Sequence, residues 1–382
     1  MGRWKEIVES HNPHLNGRLF PEMDLPEHPL IPTYYQRLYG RRRLIISGFP
    51  GVGKTVLAKK LIGHLAKRGI RDALYIDMSE VDDKERFIEW LEGTISPTVV
   101  ALDNLSYPIP TGMRSLQIVK KSGEEMPPLS FLWYLRMRKE DELANEMLSL
   151  NTVEDFAVHM QWNAVMLHHL YGLFLKGGGL PRHVKDKKVD IEGDLYRLES
   201  RLKGAQRTVA IHLGKLAKGD VSFVDIAKET GLTRQTVARV FTDLDAMRVV
   251  HIIRGNNSKE KRRKKLILFS SPVGYGYNPL AKVRIQNIHL LSILASHLRG
   301  QVYTVKEKRV KIDLVTPKYY IFVISGEEEL PPALRRAKKL TDKPSLIVSL
   351  MPTVPRRPYS NVLIIPAFYY DFVVKKLTYL VG

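Results

Sequence analysis

The sequence predicts an α/β protein of several domains, beginning with a parallel sheet flanked by helices. Three observations carry this expectation. The stretch GFPGVGKT, Gly48–Thr55, lies between an apolar strand-like segment and an amphipathic helix, which is the order of a strand–loop–helix unit. Further apolar segments follow at the spacing of β–α–β units. A helix-turn-helix pattern and a second group of strands occupy the rest of the chain.

The composition bounds the size and the partners of the protein. Its 382 residues exceed one compact core of ordinary size, so two or three domains are expected, and a hydrophobic fraction of 44% suits folded domains. The formal net charge of +20 makes a polyanion the first partner to consider, with an anionic membrane face second. The chain has no cysteine, which excludes disulfides and thiolate metal sites and fits a cytoplasmic protein. No stretch approaches the roughly 20 apolar residues of a membrane helix, so no membrane partner is expected.

GFPGVGKT matches G-x-x-x-x-G-K-[ST], the loop that wraps the phosphates of a nucleotide. A strand over 44–46 leads into the loop, and the following helix places Val56, Leu57, Leu61 and Leu65 on one face. Loop amides and the positive end of the helix dipole attract phosphate. We therefore predict ATP as the ligand, with Mg²⁺ as its metal.

The predicted ligand contacts divide by chemistry. Lys54 is expected to pair with the β and γ oxygens, and the Thr55 hydroxyl to hold Mg²⁺. The whole predicted binding segment is Gly48, Phe49, Pro50, Gly51, Val52, Gly53, Lys54, Thr55 and Val56.

A second metal ligand is predicted on a later strand. ALYIDM over 73–78 and TVVALDNLS over 98–106 are predicted as buried strands, with the short helix DKERFIEWLEG between them. Asp103 follows four apolar residues, as the acid of a Walker B strand does, and is expected to bind the metal through water. An ordinary strand-end aspartate is the alternative interpretation.

Asn104 follows this acid, at a position from which a side chain would orient the attacking water. An amide orients water but cannot take its proton. General bases contribute around 10²–10⁴-fold, so hydrolysis is expected to be slow unless another carboxylate serves. Binding need not suffer, and a nucleotide-gated switch stays open beside a motor.

The middle of the chain is predicted to be helical. Between 105 and 128 the only strand candidate is 114–119, and a run of helices opens at PPLSFLWYL and continues to Phe174, with a capping box between Thr152 and Asp155. KGGGLPRHV over 176–184 then breaks the helix. Pro181 is placed against the base of the nucleotide, with a plain interhelical loop as the alternative, and Arg182 is a weaker phosphate candidate.

Residues Gly219–Gly255 carry a helix-turn-helix pattern. Ala227 allows two helices to cross closely, Gly231 takes the left-handed turn, and Val237 fills the core. Thr233 caps the second helix. The exposed start of that helix offers four residues to a DNA groove, namely Arg234, Gln235, Thr236 and Arg239.

Two alternating strands, VVHIIRG and KKLILFSS, add a wing to this unit. The wing tip, NNSKEKRRKK, is strongly basic and suits phosphate contacts, which supply most nonspecific affinity for DNA. Its predicted DNA contacts are Lys261, Arg262, Arg263 and Lys264. A solvated charged loop and a protein-docking winged helix are the alternatives.

The last hundred residues are predicted as a helix against a mixed sheet, which suggests a restriction-endonuclease-like core. Such enzymes need an acid at the end of one strand, which Asp313 supplies, and Glu/Gln-x-Lys on the next, where this chain has Val323-Ile324-Ser325. One carboxylate does not hold a catalytic Mg²⁺, which prefers several oxygen ligands. We expect no nuclease activity from this domain.

Taken together, these residues resemble a family of archaeal and bacterial AAA-type P-loop ATPases with a winged helix and a C-terminal nuclease-like domain. The resemblance rests on GFPGVGKT, the YID of 75–77, the Asp103 strand, PPLSF, GGGLP, the winged helix, KIDLV and IIPAFYYDF. It implies an ATPase core over 1–130, a helical lid over 131–200, a winged helix-turn-helix over 201–272 and a degenerate nuclease-like domain over 280–382. Relatives usually read Asp-Glu at 103–104 and an acid at Gln286.

The leading hypothesis is an ATP-binding protein, a slow ATPase, that binds DNA through its winged helix, with ATP controlling its conformation through a change of domain arrangement or formation of a homo-oligomer. Two alternatives stay open. One is a nucleotide-dependent signalling switch whose winged helix docks a protein, and the other is an ATPase similar to archaeal replication initiators.

Overall fold

The computed structural model describes residues 2–25, 28–184, 189–217, 219–253, 265–298, 306–307, 310–377 and 380. The chain divides into two compact units. The first comprises Met1–Met126 with Ala246–Arg248, and the second comprises Pro127–Asp245 with Val249–Gly382. None of the described helices combines the length and apolar character needed to cross a bilayer.

The first unit consists of helices around one five-stranded sheet. Its elements in chain order are α1 (Gly2–His11), α2 (Ile31–Gly40), β1 (Arg43–Ser47), α3 (Lys54–Lys67), β2 (Leu74–Asp77), α4 (Lys84–Trp90), β3 (Val100–Leu105), β4 (Ser115–Val119) and β5 (Glu124–Glu125). A π-helical turn, Leu91–Ile95, extends α4.

All strands of this sheet run parallel, in the order β2-β3-β4-β1-β5. The strand expected over 114–119 is present as β4, lies between β1 and β3, and is buried along its whole length. Because the strands are parallel, their carboxyl ends meet along one edge, where ligands of open α/β sheets bind. The predicted α/β class with a parallel sheet is confirmed for this unit.

The core of the first unit follows the predicted pattern, with one difference in β3. Leu57, Leu61 and Leu65 on α3 are buried as expected. β3, however, continues past Asp103 to Leu105, and its register against β4 shifts after Leu102. Such an irregularity bends a strand and re-aims its side chains, so Asp103 lies within a bulge instead of ending the strand.

The segment before the phosphate loop covers the outer edge of the sheet. Ile7 and Val8 on α1 join the hydrophobic core. The buried Asn12 amide then completes the edge strand: its Oδ1 accepts the Tyr75 N–H at 2.7 Å, and its Nδ2 donates to the Tyr75 carbonyl at 2.8 Å. A single side chain thereby satisfies two edge groups that would otherwise need a further strand.

The second unit begins with helices α5 (Phe131–Met137), α6 (Asp141–Ser149), α7 (Val153–Lys176), α8 (Ile191–Arg201) and α9 (Ala205–Leu216). The predicted capping box starts α7: the Thr152 hydroxyl accepts the Asp155 N–H at 3.0 Å, and the Asp155 carboxylate accepts the Thr152 N–H at 2.8 Å. His159 on this helix forms a 2.8 Å hydrogen bond between its Nδ1 and the Tyr369 hydroxyl.

The helix-turn-helix region forms α10 (Phe223–Thr230) and α11 (Arg234–Ala246), beside an antiparallel sheet β6 (Asp220–Val221), β8 (Lys265–Phe269) and β7 (Val250–Ile253) in that order. Gly231 has φ +70° between the helices, and Val237 is fully buried. The Thr236 N–H donates to the Thr233 hydroxyl at 3.1 Å. The predicted turn, core residue and cap are confirmed, whereas β6 was not expected.

The remaining elements are α12 (Pro279–Val283), α13 (Asn287–His297), β9 (Lys306–Glu307), β10 (Val310–Lys311), β11 (Leu314–Val315), β12 (Tyr320–Ile324), α14 (Leu330–Ala337), β13 (Ser345–Ser349), β14 (Arg356–Tyr359), β15 (Val362–Pro366) and α15 (Tyr370–Val373). They include a mixed sheet in the order β11-β12-β13-β15-β14. The edge strand β14 was missed because its four residues are all exposed and lack apolar alternation.

Three motifs from distant parts of the second unit meet in one cluster, here called the motif junction. It comprises PPLSF (127–131), GGGLP (177–181) and Asp371 of IIPAFYYDF. The Leu129 N–H donates to the Gly179 carbonyl at 2.8 Å, and Asp371 Oδ2 accepts the Phe131 N–H at the start of α5 at 2.6 Å. Gly179 has φ +66°, and a Cβ there would lie 2.9 Å from both the Leu129 carbonyl oxygen and Pro128 Cβ.

We expect Asp371→Ala to lower the free energy of unfolding by about 1–2 kcal/mol, because it removes the acceptor for the first amide of α5. Asp371→Asn keeps an acceptor oxygen and should lose less than half as much. Equilibrium urea denaturation followed by circular dichroism measures both. Equal losses in the two variants would show that the carboxylate does not act as a helix cap.

Candidate phosphate-binding site

The GFPGVGKT loop is built around glycines in conformations that other residues rarely adopt. Gly51 has φ +89° and Gly53 has φ +96°. At Gly48 a Cβ would lie 2.6 Å from the Met126 carbonyl oxygen. Helix α3 begins immediately at Lys54, so its unpaired first amides face the same region as the loop. The loop is thus shaped to present backbone N–H groups to an anion.

The apolar members of the predicted binding segment contribute through the backbone. Phe49 and Val52 have 1% and 0% of their surface exposed, so their side chains belong to the core. Pro50 is buried and has no amide hydrogen to offer a phosphate. Val56, on the first turn of α3, is half-buried. Within this segment, the polar side chains that can contact a phosphate directly are those of Lys54 and Thr55.

Lys54 lies folded over the loop with its ammonium group buried. Its Nζ donates to the carbonyls of Gly48 at 2.8 Å and Phe49 at 3.1 Å. These carbonyls hold the charged group at the centre of the loop, where the positive φ of Gly51 and Gly53 turns the backbone. An ammonium in this place is suited to pair with phosphate oxygens.

Asp103 and Thr55 are joined directly. The Thr55 hydroxyl donates to Asp103 Oδ2 at 2.6 Å, and the Tyr75 hydroxyl donates to the same oxygen at 3.1 Å. Asp103 is only 1% exposed. Burial and the neighbouring Asp103 charge raise the pKa of Tyr75 well above its usual value, so the phenol remains a donor. The carboxylate is thereby oriented by two hydroxyl groups.

This oxygen-only donor set fits Mg²⁺. Mg²⁺ takes oxygen ligands and keeps several waters, and it is held by one or two protein groups together with substrate phosphates. The Thr55 hydroxyl and the Asp103 carboxylate meet at the carboxyl edge of the sheet, next to the phosphate loop. They are the residues that would hold the ion there.

Asn104 has a strained backbone and a committed side chain. Its φ is +59°, in the left-handed region, and its N–H donates to Asp103 Oδ1 at 2.7 Å. Its Nδ2 donates to Asp77 Oδ1 at 2.9 Å. Asparagine tolerates this conformation better than most residues with a side chain. The amide therefore points toward the neighbouring strand β2.

Asp77 is a further polar residue at this edge and was not among the predicted site residues. It ends β2 and pairs in register with Asp103 on β3. Partial burial acts to raise its pKa, but hydrogen bonds from Ser79 and Asn104 outweigh burial, so the pKa of Asp77 is lowered. The sequence signal for it was the YID of 75–77, because this aspartate ends a predicted strand, β2, which lies next to β3 in the sheet.

Gln117 is a buried polar residue in the middle of β4, and its side chain is committed to backbone groups. Both ends of the buried Gln117 amide bind the Ile109 backbone, with its Oε1 accepting the N–H at 2.9 Å and its Nε2 donating to the carbonyl at 2.8 Å. Gln117 thus anchors the connection between β3 and β4.

The GGGLP residues belong to the second unit. Pro181 begins a short 3₁₀ turn, Pro181–His183, and is half-buried. Arg182 forms an ion pair with the buried Asp194, whose other oxygen lies 2.5 Å from His183 Nε2. Contact of Pro181 with a nucleotide base stays a prediction.

The predicted DNA-contact residues of α11 lie at its N-terminal end. Arg234, Gln235 and Arg239 are exposed, and Thr236 is half-exposed with its hydroxyl 2.9 Å from that of Thr233. Thr236 is therefore partly committed to the helix start. In the described part of the chain, neither arginine forms an ion pair. The other predicted contacts, Lys261, Arg262, Arg263 and Lys264, lie outside the described residues.

Asp313, the acid predicted for a nuclease-like core, is partly buried. Its Oδ2 accepts the Val323 N–H at 2.9 Å, and burial raises its pKa despite this bond and the charges of Arg336 and Lys311. Ser325, at the position of the expected lysine, donates its N–H to Glu329 at 2.6 Å. The carboxylate of Asp313 serves the β12 backbone.

No protein-family model and no curated protein matches the sequence. Among solved structures, a point variant of RuvB from Thermotoga maritima aligns with 69% of this chain and 93% of its own, at 14% identity and a TM-score of 0.27. An overlap of that size carries no conclusion about fold or function.

We expect Asn104→Gly to be more stable than Asn104→Ala by about 1 kcal/mol, because glycine adopts a positive φ without steric cost. Both substitutions remove the same amide, so their difference isolates the backbone. Urea denaturation measures it. In a regular strand the order would be reversed, since glycine weakens strand interiors, and the reversed order would contradict the left-handed assignment.

Proposed function

We propose that this protein binds ATP, hydrolyses it slowly, and binds DNA through a winged helix under the control of the nucleotide. The observation that carries the nucleotide assignment is the 2.6 Å hydrogen bond between the Thr55 hydroxyl and the Asp103 carboxylate. It brings the hydroxyl at the end of the glycine loop next to the acid of β3, and these are the two protein groups that hold Mg²⁺ in P-loop proteins. The first unit is accordingly proposed as an AAA-type core.

The residues of the proposed nucleotide site have separate roles. The amides of Gly51 and Gly53 and the start of α3 bind phosphate oxygens, and Lys54 pairs with the β and γ phosphates. Thr55 and Asp103 hold Mg²⁺, which supplies charge neutralisation when bound. Pro181 is retained as a contact for the base.

The proposed slow rate follows from the side chain beside Asp103. Asn104 carries an amide, which can align a water molecule but cannot accept its proton, so hydrolysis is slow unless a carboxylate from another strand accepts it. The residue also occupies a left-handed backbone position, which a longer, charged side chain would adopt less readily. Both features suit a protein that holds ATP longer than it turns it over.

The DNA assignment is supported by the exposed N-terminal end of α11. Gln235 and Arg239 lie opposite the face of α11 that is buried through Val237 and Phe241, and Arg234 is exposed as the first residue of the helix. A helix held by its apolar face and exposed at its basic end suits insertion into a major groove. The net charge of +20 adds a favourable long-range field for a polyanion.

The proposal extends to the other predicted regions. The helices α5–α8 are proposed as a lid, and the C-terminal sheet as a nuclease-like fold without nuclease chemistry. ATP is proposed to favour one arrangement of the two units, or a homo-oligomer, and thereby to alter DNA affinity.

We expect Lys54→Ala to weaken ATP binding by at least about tenfold, because it removes a charge-assisted contact with the phosphates. Fluorescence anisotropy with a labelled ATP analogue measures the dissociation constant. Lys59→Ala is the matched control, since Lys59 lies on the same helix and pairs with Glu22 at 2.6 Å instead. Equal affinities of natural protein and Lys54→Ala would contradict the assignment.

We expect the double substitution Arg234→Ala and Arg239→Ala to weaken duplex DNA binding by about tenfold or more and to lower the salt slope by up to about 2, because two phosphate or base contacts are lost. The control is Arg335→Ala with Lys339→Ala, an equal charge loss at exposed positions of the α14 region. Electrophoretic mobility shift at several salt concentrations, with and without ATP, measures both.

If the control pair weakens DNA binding as much as the α11 pair, the binding is a property of net charge. If neither pair weakens DNA binding, the assignment of DNA binding to α11 is wrong, and the alternative of a protein-docking winged helix is favoured.

A further inference from the structure

The carboxyl edge of the parallel sheet holds a carboxylate that the proposed function has not used. Asp77 is the last residue of β2, and its register partner on β3 is Asp103. Adjacent strands lie about 4.8 Å apart, so the two acids are neighbours along the edge. Asp77 therefore lies one strand beyond the proposed metal ligand, on the side away from β4.

The side chain of Asp77 is held in one orientation. Its Oδ1 accepts the Ser79 N–H at 2.9 Å, the Ser79 hydroxyl at 2.7 Å and the Asn104 amide at 2.9 Å. The residue is half-buried, so the carboxylate is ordered by three donors and still reaches solvent. Such fixed orientation at a partly open site is what a group acting on a bound water needs.

Asp103 cannot take this role as well. Its Oδ2 accepts two hydroxyl groups, those of Thr55 and Tyr75, and its Oδ1 accepts the Asn104 N–H at 2.7 Å. It is also 1% exposed. The acid that contacts Asn104 from the neighbouring strand is Asp77, and it retains access to solvent.

We propose that Asp77 is the general base of ATP hydrolysis and that Asn104 aligns the water between them. This inference depends on the proposed ATPase function. The water oxygen forms a bond to the γ-phosphorus while its proton passes to the Asp77 carboxylate. The bond from the γ-phosphorus to the bridging oxygen breaks, its electron pair leaves with ADP, and phosphate is released. The proton then passes to solvent.

In this arrangement the two residues share the alignment of water and the acceptance of its proton, which a single carboxylate could perform alone. The amide of Asn104 supplies alignment, and the carboxylate of Asp77 supplies the proton acceptor. A structural alternative gives Asp77 only the task of holding Asn104. The two readings differ in what happens when each residue is changed alone.

The test compares turnover and binding in the full-length protein. Single-turnover hydrolysis of ATP and the dissociation constant of a labelled ATP analogue are measured for the natural protein, Asp77→Asn, Asn104→Ala, and the double variant Asp77→Asn with Asn104→Asp. Asp83→Asn is the matched control. Asp83 is exposed and caps α4, where its side chain accepts the Arg86 N–H, and asparagine caps a helix equally well.

We expect Asp77→Asn to lower the hydrolysis rate by about 10²-fold or more, with the dissociation constant changed by less than about threefold, because a general base acts on the chemical step. Asn104→Ala should cost about tenfold or less. The double variant should regain at least about tenfold over Asp77→Asn, since it returns a carboxylate to the site at a position that aspartate tolerates.

Three results would overturn the inference: an undiminished rate in Asp77→Asn, a loss in Asn104→Ala as large as that in Asp77→Asn, or a failure of the double variant to recover any activity. If the natural protein binds ATP but shows no measurable turnover, the assignment of Asp77 as general base is wrong, while the assignment of a nucleotide site stands. If the natural protein does not bind ATP, the proposed function itself fails.

Discussion

The candidate site depends on one constraint, which is that all five strands of the first sheet run parallel. Parallel pairing brings the end of β1, which leads into the glycine loop, to the same edge as the ends of β2 and β3. Asp103 can then be buried at 1% exposure because donors from two other elements, the Thr55 and Tyr75 hydroxyls, reach its carboxylate. A carboxylate without such partners would be costly in this position. The chemistry proposed for this edge therefore depends first on the direction of the strands and only then on the individual side chains.

The bulge in β3 explains why asparagine suits position 104. Between Leu102 and Leu105 the strand shifts its register against β4, and Asn104 takes φ +59°. A left-handed conformation costs an ordinary L-residue about 1–2 kcal/mol. Asparagine reduces that cost, and its amide is satisfied by Asp77 at 2.9 Å. A residue that looks like a loss of function in the sequence is therefore part of a pair that spans two strands.

The second unit shows the opposite case, in which conspicuous motifs have a structural explanation. PPLSF, GGGLP and the aspartate of IIPAFYYDF meet in the motif junction, where Asp371 caps α5 and Gly179 allows close backbone approach. The buried Asp194 likewise ties Arg182 and His183 to α8. These contacts link residues more than a hundred positions apart in some cases, and they give the motifs a role in the packing of the second unit.

The sequence by itself determined the features that depend on local pattern. The glycine loop, the buried face of α3, the capping box of α7 and the Gly231 turn follow from residue type and spacing over a few positions, because local sterics and hydrogen bonds decide them. Only the tertiary structure decided the pairing of Asn12 with Tyr75, the bulge at Asn104, the contact of Asp77 with Asn104 and the Asp371 cap. Each of these joins residues distant in the chain, and which of many polar side chains meet is settled by strand order and register, which no short stretch of sequence encodes.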